Sequence, residues 1–397
     1  MRIAYSDECS TCRQGPSLAG SIQQQSCRIA ASRFPLSTSH GGDIYNNSVD
    51  IDFSVNLNPY ELAGADERAV KDAIAEGIES AVCYPDIRQR DVRAAIAETE
   101  GVTADQVYAG SGASELIMAV TNLVNPKKAL LIDPCYSGYE HALASVCDCN
   151  IVRYSLKEES GFGITPEVAY AITDDNDILF IQDPINPTGQ NIEDSVFEAI
   201  LDRATEHDVT VVLDNSFLAL SAKADDEAHD RNRSYVNKYN NLFIVSSYTK
   251  SFALPGLRMG YIMSTMQNID ALIPYLPEWN ISSVASSVMK ACAAISVRSG
   301  YLANSRQFIE KERCYLTGAL SSLGFKVFDS DTVFILIKDE KGLCPDLYER
   351  LRKRRILIRR CDDFYCLDKS FFRIAVRGHE DNMILTDEIR NIINEDR

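Results

Sequence analysis

The sequence predicts an α/β protein in which a mostly parallel sheet lies between helix layers and is followed by a smaller α+β unit. Three observations lead there. The chain has 397 residues, 45% of them hydrophobic, more than one hydrophobic core usually serves, so two packed units are expected. From Val107 onward, short β-rich apolar runs alternate with amphipathic helical stretches, the pattern of parallel strands covered on both faces. After a mainly helical stretch from Ile281 to Leu323, the alternation gives way to isolated strand and helix signals.

In chain order, residues 1–39 are rich in Ser, Gln and Cys without a sustained apolar period and read as a flexible arm. A large domain is expected over 40–285. Its strands are read at Val107, Lys128–Asp133, Asp177–Gln182, Val209–Asp214 and Asn241–Ser247, with a helix over Leu116–Leu123. The small domain, 286–397, should contain strands over Lys326–Lys338 and Phe371–Arg377, and a basic helix over Leu347–Arg355 ending before a strand at Ile356. The acidic loop Ala222–Asp230 and the basic run Arg352–Arg355 read as solvated faces.

A formal net charge of -17 works against nucleic acid or an anionic membrane as partner. The first residues lack the basic and apolar blocks of a secretory signal, and every apolar run is shorter than a bilayer requires. A cytoplasmic protein acting on small molecules is expected. Twelve scattered cysteines read as reduced thiols. Cys9 and Cys12 offer at most two ligands, so no metal site is expected.

The chemistry gathers in five strings. Ser246-Ser247-Tyr248-Thr249-Lys250-Ser251 leads to Gly256-Leu257-Arg258-Met259-Gly260 just past a strand. It places a lysine where ligands of open α/β sheets bind, with hydroxyls and Arg258 able to grip one phosphate; taken alone, the lysine also reads as a surface residue in a polar loop. Gly110-Ser111-Gly112-Ala113-Ser114-Glu115 opens a helix, whose free N–H groups favour an anion, although an ordinary strand-to-helix turn has the same composition. Asp214 ends an apolar strand, and a carboxylate buried there needs a partner. Asp133-Pro134-Cys135-Tyr136 and Asp183-Pro184-Ile185-Asn186-Pro187-Thr188-Gly189 complete the set.

Together these strings resemble the class I/II aminotransferases, which are pyridoxal-phosphate-dependent enzymes of fold type I, from residue 40 to near the C-terminus. The resemblance implies pyridoxal 5'-phosphate on Lys250, which later shuttles a proton. It implies phosphate contacts from Ala113, Ser114, Ser247, Thr249 and Arg258, and a ring stacked on Tyr136. Asn186 would meet the phenolic oxygen, and Asp214 would pair with the pyridine nitrogen and keep the ring cationic. Tyr84, in Cys83-Tyr84-Pro85-Asp86, matches the tyrosine that reaches the neighbouring subunit's cofactor, which implies a homodimer. The family usually has Asp-Glu-Ala-Tyr or Asp-Glu-Ala-Phe where this chain has Asp214-Asn215-Ser216-Phe217, and Phe217 removes one hydrogen bond from the phenolic oxygen.

Within the superfamily the chain resembles the branch holding histidinol-phosphate aminotransferase and the threonine-phosphate decarboxylase of cobalamin biosynthesis. His40-Gly41-Gly42-Asp43-Ile44, Glu278-Trp279-Asn280, Ile356 to Cys361 and Phe371 to Arg377 lean toward the decarboxylase. By this resemblance Arg373 binds a substrate anion, and His40 and Arg377 are further candidates. Arg377 lies about 13 Å beyond Arg373 on a continued strand at ~3.3 Å per residue, so a rim salt bridge is its alternative. His40 reads equally as an arm residue. The expected activity is threonine-phosphate decarboxylation or a similar reaction at the α-carbon of a phosphorylated amino acid; transamination is the alternative.

Overall fold

Aliphatic and β-branched runs without internal charges form stable strands when helices cover both faces, and the main sheet is built that way. The computed structural model describes residues 41–146, 148–224 and 226–395; His40, Cys9, Cys12 and the arm expected at 1–39 lie outside the described residues. After a two-residue strand β1 (Ile51–Asp52) come β2 (Val107–Ser111), β3 (Lys128–Asp133), β4 (Asn150–Ser155), β5 (Ile178–Gln182), β6 (Thr210–Asp214), β7 (Leu242–Ser247) and β8 (Met259–Met263). Strands β2 to β8 form one sheet in the order β2-β8-β7-β6-β5-β3-β4. Only β8 runs against its neighbours; the other pairings are parallel. The expected α/β class is met.

Successive side chains of a strand point to opposite faces, and here both faces are buried. Val211 and Leu213 of β6 and Leu242 and Ile244 of β7 join one apolar cluster, whereas Val212, Phe243 and Val245 join the cluster on the other side. The helix Asp194–Glu206 supplies Phe197, Ile200, Leu201 and Ala204 to the first, a helical stripe. The helix Ala113–Val124 supplies Leu116, Ile117 and Val120 to the second.

The later strands are β9 (Lys326–Val327), β10 (Phe334–Lys338), β11 (Ile356–Leu357), β12 (Arg359–Arg360) and β13 (Phe371–Ala375). Four form an antiparallel sheet in the order β12-β13-β10-β9, and β11 pairs with β1 in parallel. Their cluster gathers Phe53, Phe217 and residues from Ile309 to Ile393, while Val288, Met289 and Cys292 of the helix Ser283–Arg298 belong to the main core. No helix among the described residues is long and apolar enough to cross a membrane.

Three local expectations are corrected. Lys326–Lys338 is two antiparallel strands, because Asp329 to Thr332 form a polar turn in which Ser330 Oγ donates to Phe334 O and accepts from Thr332 N. The basic helix stops at Lys353, with Arg355 at a φ of 63°. The acidic stretch expected as a loop contains a helix start, since a helix runs over Asp226–Lys238.

Strand β8 passes directly under the turn that opens the helix Ala113–Val124. A Cβ at Gly260 would lie 2.4 Å from Gly112 C and 2.6 Å from Ala113 N, so backbone must move to admit one. Gly260→Ala is expected to destabilise the fold by about 1–3 kcal/mol, read as a lowered urea midpoint; an unchanged midpoint would show that the two segments can part freely.

Candidate active site

Lys250 lies just beyond the carboxyl end of β7, in the helical turn Tyr248–Ser251. Ser247 caps that turn, accepting from Thr249 N at 3.0 Å. The hydroxyls of Ser247 and Thr249 both donate to Met259 O, at 2.6 and 3.1 Å, so they must turn before they can donate to an anion. A second support comes from the opposite side. Asn58 N donates to Lys250 O at 3.0 Å, and Asn58 Nδ2 lies 2.8 Å from Ser251 O and within hydrogen-bond distance of Tyr301 and Ser305.

Burial pushes the Lys250 ammonium down to about 8, helped by the positive charges of Arg373 and Arg258; Asp214 acts in the other direction. The Lys250 Nζ stands 5.9 Å from the centroid of Phe217. Arg258 has a φ of 55°, which turns it back across the loop. Its Nη2 would be 2.5 Å from a Cβ at Gly112, whose φ is 83°, so glycine there opens a path for the guanidinium to the N-terminus of the helix holding Ala113 and Ser114. Asn280 steadies that end: its Nδ2 donates to Glu115 Oε2 and Ala109 O, while Glu115 Oε2 also accepts from Ser111 N.

Asp214 is 5% exposed. Its Oδ2 accepts from Tyr139 Oη at 2.9 Å and from Gln182 Nε2 at 3.4 Å, and its Oδ1 accepts from Ser216 N at 2.9 Å. Tyr139 stacks on Phe180 and meets Tyr136 edge-on at 5.6 Å. Burial and the Asp214 charge hold the Tyr139 phenol well above its ordinary range, so it stays a donor. The departures from the family string have local roles: Asn215 turns toward Asn232, and Ser216 supplies the N–H to Asp214.

Arg373 donates to Asn186 Oδ1 at 2.5 Å and to Ser54 O at 2.8 Å, and its buried Nε has no hydrogen-bond partner among the described residues. Burial, then the neighbouring Arg359, lowers its guanidinium to about 10. Arg359 stands opposite Arg373 in the β12–β13 register. Sequence reasoning passed over Arg359 and Tyr139, although both lie in or beside strings it singled out. Arg377 is past the end of β13, bonded to Asp381 Oδ2 at 2.8 Å and Asp52 O at 3.1 Å. Tyr84 is 81% exposed and packs on Trp279 at 4.8 Å. The structure thus brings together Lys250, Asp214, Asn186 and Arg373 through shared contacts and charge, and Arg258 with Gly112; Arg377 and Tyr84 are held elsewhere.

A buried lysine and acid stand at the carboxyl edge of an open sheet, where ligands of such sheets bind, beside a helix start whose free N–H groups favour an anion. Comparison with known proteins agrees. The aminotransferase class I and II pattern matches residues 48–386. A protein provisionally named threonine-phosphate decarboxylase, from Caldanaerobacter subterraneus subsp. tengcongensis, is 33% identical over 90% of this chain and 94% of its own. Threonine-phosphate decarboxylase of Salmonella typhimurium is 28% identical, over 90% and 97%. The crystal structure of histidinol-phosphate aminotransferase from Clostridium acetobutylicum superimposes with a TM-score of 0.77 at 29% identity, covering 87% of this chain and 99% of that one. The chain belongs to the aminotransferase class I and II family.

Pyridoxal 5'-phosphate is the cofactor expected of that family, and the residues fit it. Asp214 is a buried carboxylate whose hydrogen-bond donors are all neutral among the described residues, and a protonated pyridine nitrogen would complete it. The amine that must be neutral to attack an aldehyde is the one whose proton burial loosens.

In cofactor-free protein, the rate of reductive modification of Lys250 by a small aldehyde should rise with pH to a midpoint near 8, followed by peptide mass mapping. Arg373→Gln should move that midpoint upward. Because the folded value lies below the ordinary 10.5, the unfolded chain holds this proton more tightly, and Lys250 adds stability as pH rises from about 8 toward 10.5. A midpoint near 10.5 would mean that the amine is solvated.

Proposed function

We propose that this protein is a pyridoxal-phosphate-dependent enzyme acting at the α-carbon of a phosphorylated amino acid, with decarboxylation of threonine phosphate or a close analogue as its reaction. The observation that carries the reading is the pair of buried arginines, Arg359 and Arg373, facing each other across β12 and β13. Arg373 meets only neutral groups and Arg359 a single, partly exposed carboxylate, Asp363; a substrate bearing both phosphate and carboxylate would supply further anions to this buried pair.

The bound cofactor supplies a cationic ring that draws in the electron pair of a broken α-carbon bond. Lys250 would hold the group and, once released from it, move a proton to or from the α-carbon, a task suited to an amine held near 8. Asp214, whose direction is fixed by Tyr139 and Ser216, would pair with the ring nitrogen. Ala113, Ser114, Ser247, Thr249 and Arg258 would hold the cofactor phosphate, Tyr136 would cover the ring, and Asn186, which anchors Arg373, would meet the phenolic oxygen. The arginines would fix where the substrate's phosphate and carboxylate sit and so which α-carbon bond is presented for cleavage. If they hold the phosphate so that the carboxylate stands upright, CO2 leaves and a proton returns to carbon.

Transamination is the second reading, supported by the likeness to a histidinol-phosphate aminotransferase structure. In that case the arginines fix the substrate so that the α-hydrogen faces Lys250.

The assembly we infer is a homodimer. Tyr84, Val82, Ile78 and Trp279 form an exposed apolar set, of the kind that partner surfaces cover. A cytosolic setting fits the eight free cysteines among the described residues.

Incubating the cofactor-loaded protein with threonine phosphate should release CO2. With amino donors plus 2-oxoglutarate it should form little glutamate; glutamate without CO2 would replace the first reading by the second. Lys250→Ala should remain folded yet lose turnover and the visible absorption of the bound cofactor, and full activity in that variant would overturn the assignment.

A further inference from the structure

Arg359 and Arg373 differ in how their charge is met. Arg373 bonds to neutral groups, Asn186 Oδ1 and Ser54 O. Arg359, 8% exposed at its side chain, donates from Nη2 to Asp363 Oδ2 at 2.7 Å. Its Nη1 donates to Arg360 O, and its guanidinium lies 5.2 Å from the centroid of Phe364. The donor of Arg359 that meets a carboxylate is therefore already engaged by its own loop.

Asp363 differs from Asp214 in one decisive respect. Its side chain is 28% exposed and sits at the edge of the loop between β12 and β13. A buried carboxylate that loses its cation is left desolvated at high cost, whereas one at the surface regains water. Asp363 can release Arg359 cheaply. Arg359 cannot release Asp363 without another anion, because its charge is buried.

We propose that Asp363 is a displaceable counterion: it neutralises Arg359 before substrate arrives and yields it to the phosphate of the substrate. The inference rests on the reading of Arg359 and Arg373 as the substrate's anion pocket. Only ligands with an anion reaching Arg359 meet this competition. A phosphate dianion, with more charge and more acceptor oxygens than a carboxylate, overcomes it most readily. An amino acid without a distal anion leaves the Arg359–Asp363 pair closed.

The test uses cofactor-loaded enzyme, whose own phosphate site is filled, and inorganic phosphate as the probe, followed by calorimetry. Asp363→Asn should bind phosphate about fivefold more tightly, the order expected when a partly exposed charge pair is removed. KM for threonine phosphate should fall by a similar factor with kcat retained, while KM for unphosphorylated threonine stays unchanged. Asp363→Glu should restore the wild-type phosphate affinity. Asp363→Ser is the second neutral variant, and melting temperatures verify that each is folded. Unchanged or weaker phosphate binding in both neutral variants, with binding lost in Arg359→Gln, would overturn the counterion role and leave a loop-stabilising bridge. Phosphate binding that persists in Arg359→Gln would instead overturn the reading of the pocket itself.

Discussion

A carboxylate enclosed by protein and given, among the described residues, only neutral donors is the constraint around which this structure is arranged. Asp214 is held by a tyrosine hydroxyl, an amide and one backbone N–H, which fix its direction without cancelling its charge. Lys250 stays outside ion-pair distance of it among the described residues, with an amine weakened by burial and by two arginines. An interior so organised favours a cationic heteroaromatic ring between the two groups, as the family's cofactor provides. The sheet makes this possible: Asp214 stands at the end of β6 beside Gln182 of β5 and Val245 of β7, so neighbouring parallel strands deliver their final residues to one edge.

That part of the molecule was legible because its information is local. Strand β3 was read with its observed ends and β5, β6 and β7 to within one residue, since runs buried on both faces have sharp limits where polarity returns, whereas β4 and β8 were not read as strands. The string around Lys250 is contiguous, and its lysine, hydroxyls and arginine could be recognised together. The less visible residues depend on packing between segments far apart in sequence. Tyr139 looks like any core aromatic until the helix Gly138–Leu143 turns its hydroxyl toward a strand seventy-odd residues later. Arg359 becomes notable only when β12 pairs with β13 and sets it opposite Arg373.

The strand ends near the C-terminus were harder for a related reason. Lys326–Lys338 carries enough apolar residues for one long strand, yet the hydroxyls of its central turn close it into a hairpin. At Arg377, side-chain type alone could not separate a substrate contact from a surface ion pair. Its guanidinium is bonded to Asp381, one helical turn onward in the chain, and to the carbonyl of Asp52.

The segment from Asp52 to Asn58 joins these two halves of the chemistry. Phe53 shares backbone hydrogen bonds with Leu357 and Ala375, Ser54 O receives Arg373, and Asn58 grips the backbone of Lys250 and Ser251. The segment is therefore a short tether between the sheet that carries the arginines and the loop that carries the reactive amine. A displacement of one that the tether does not absorb must be felt by the other, so the site has a built-in gear rather than two independent jaws.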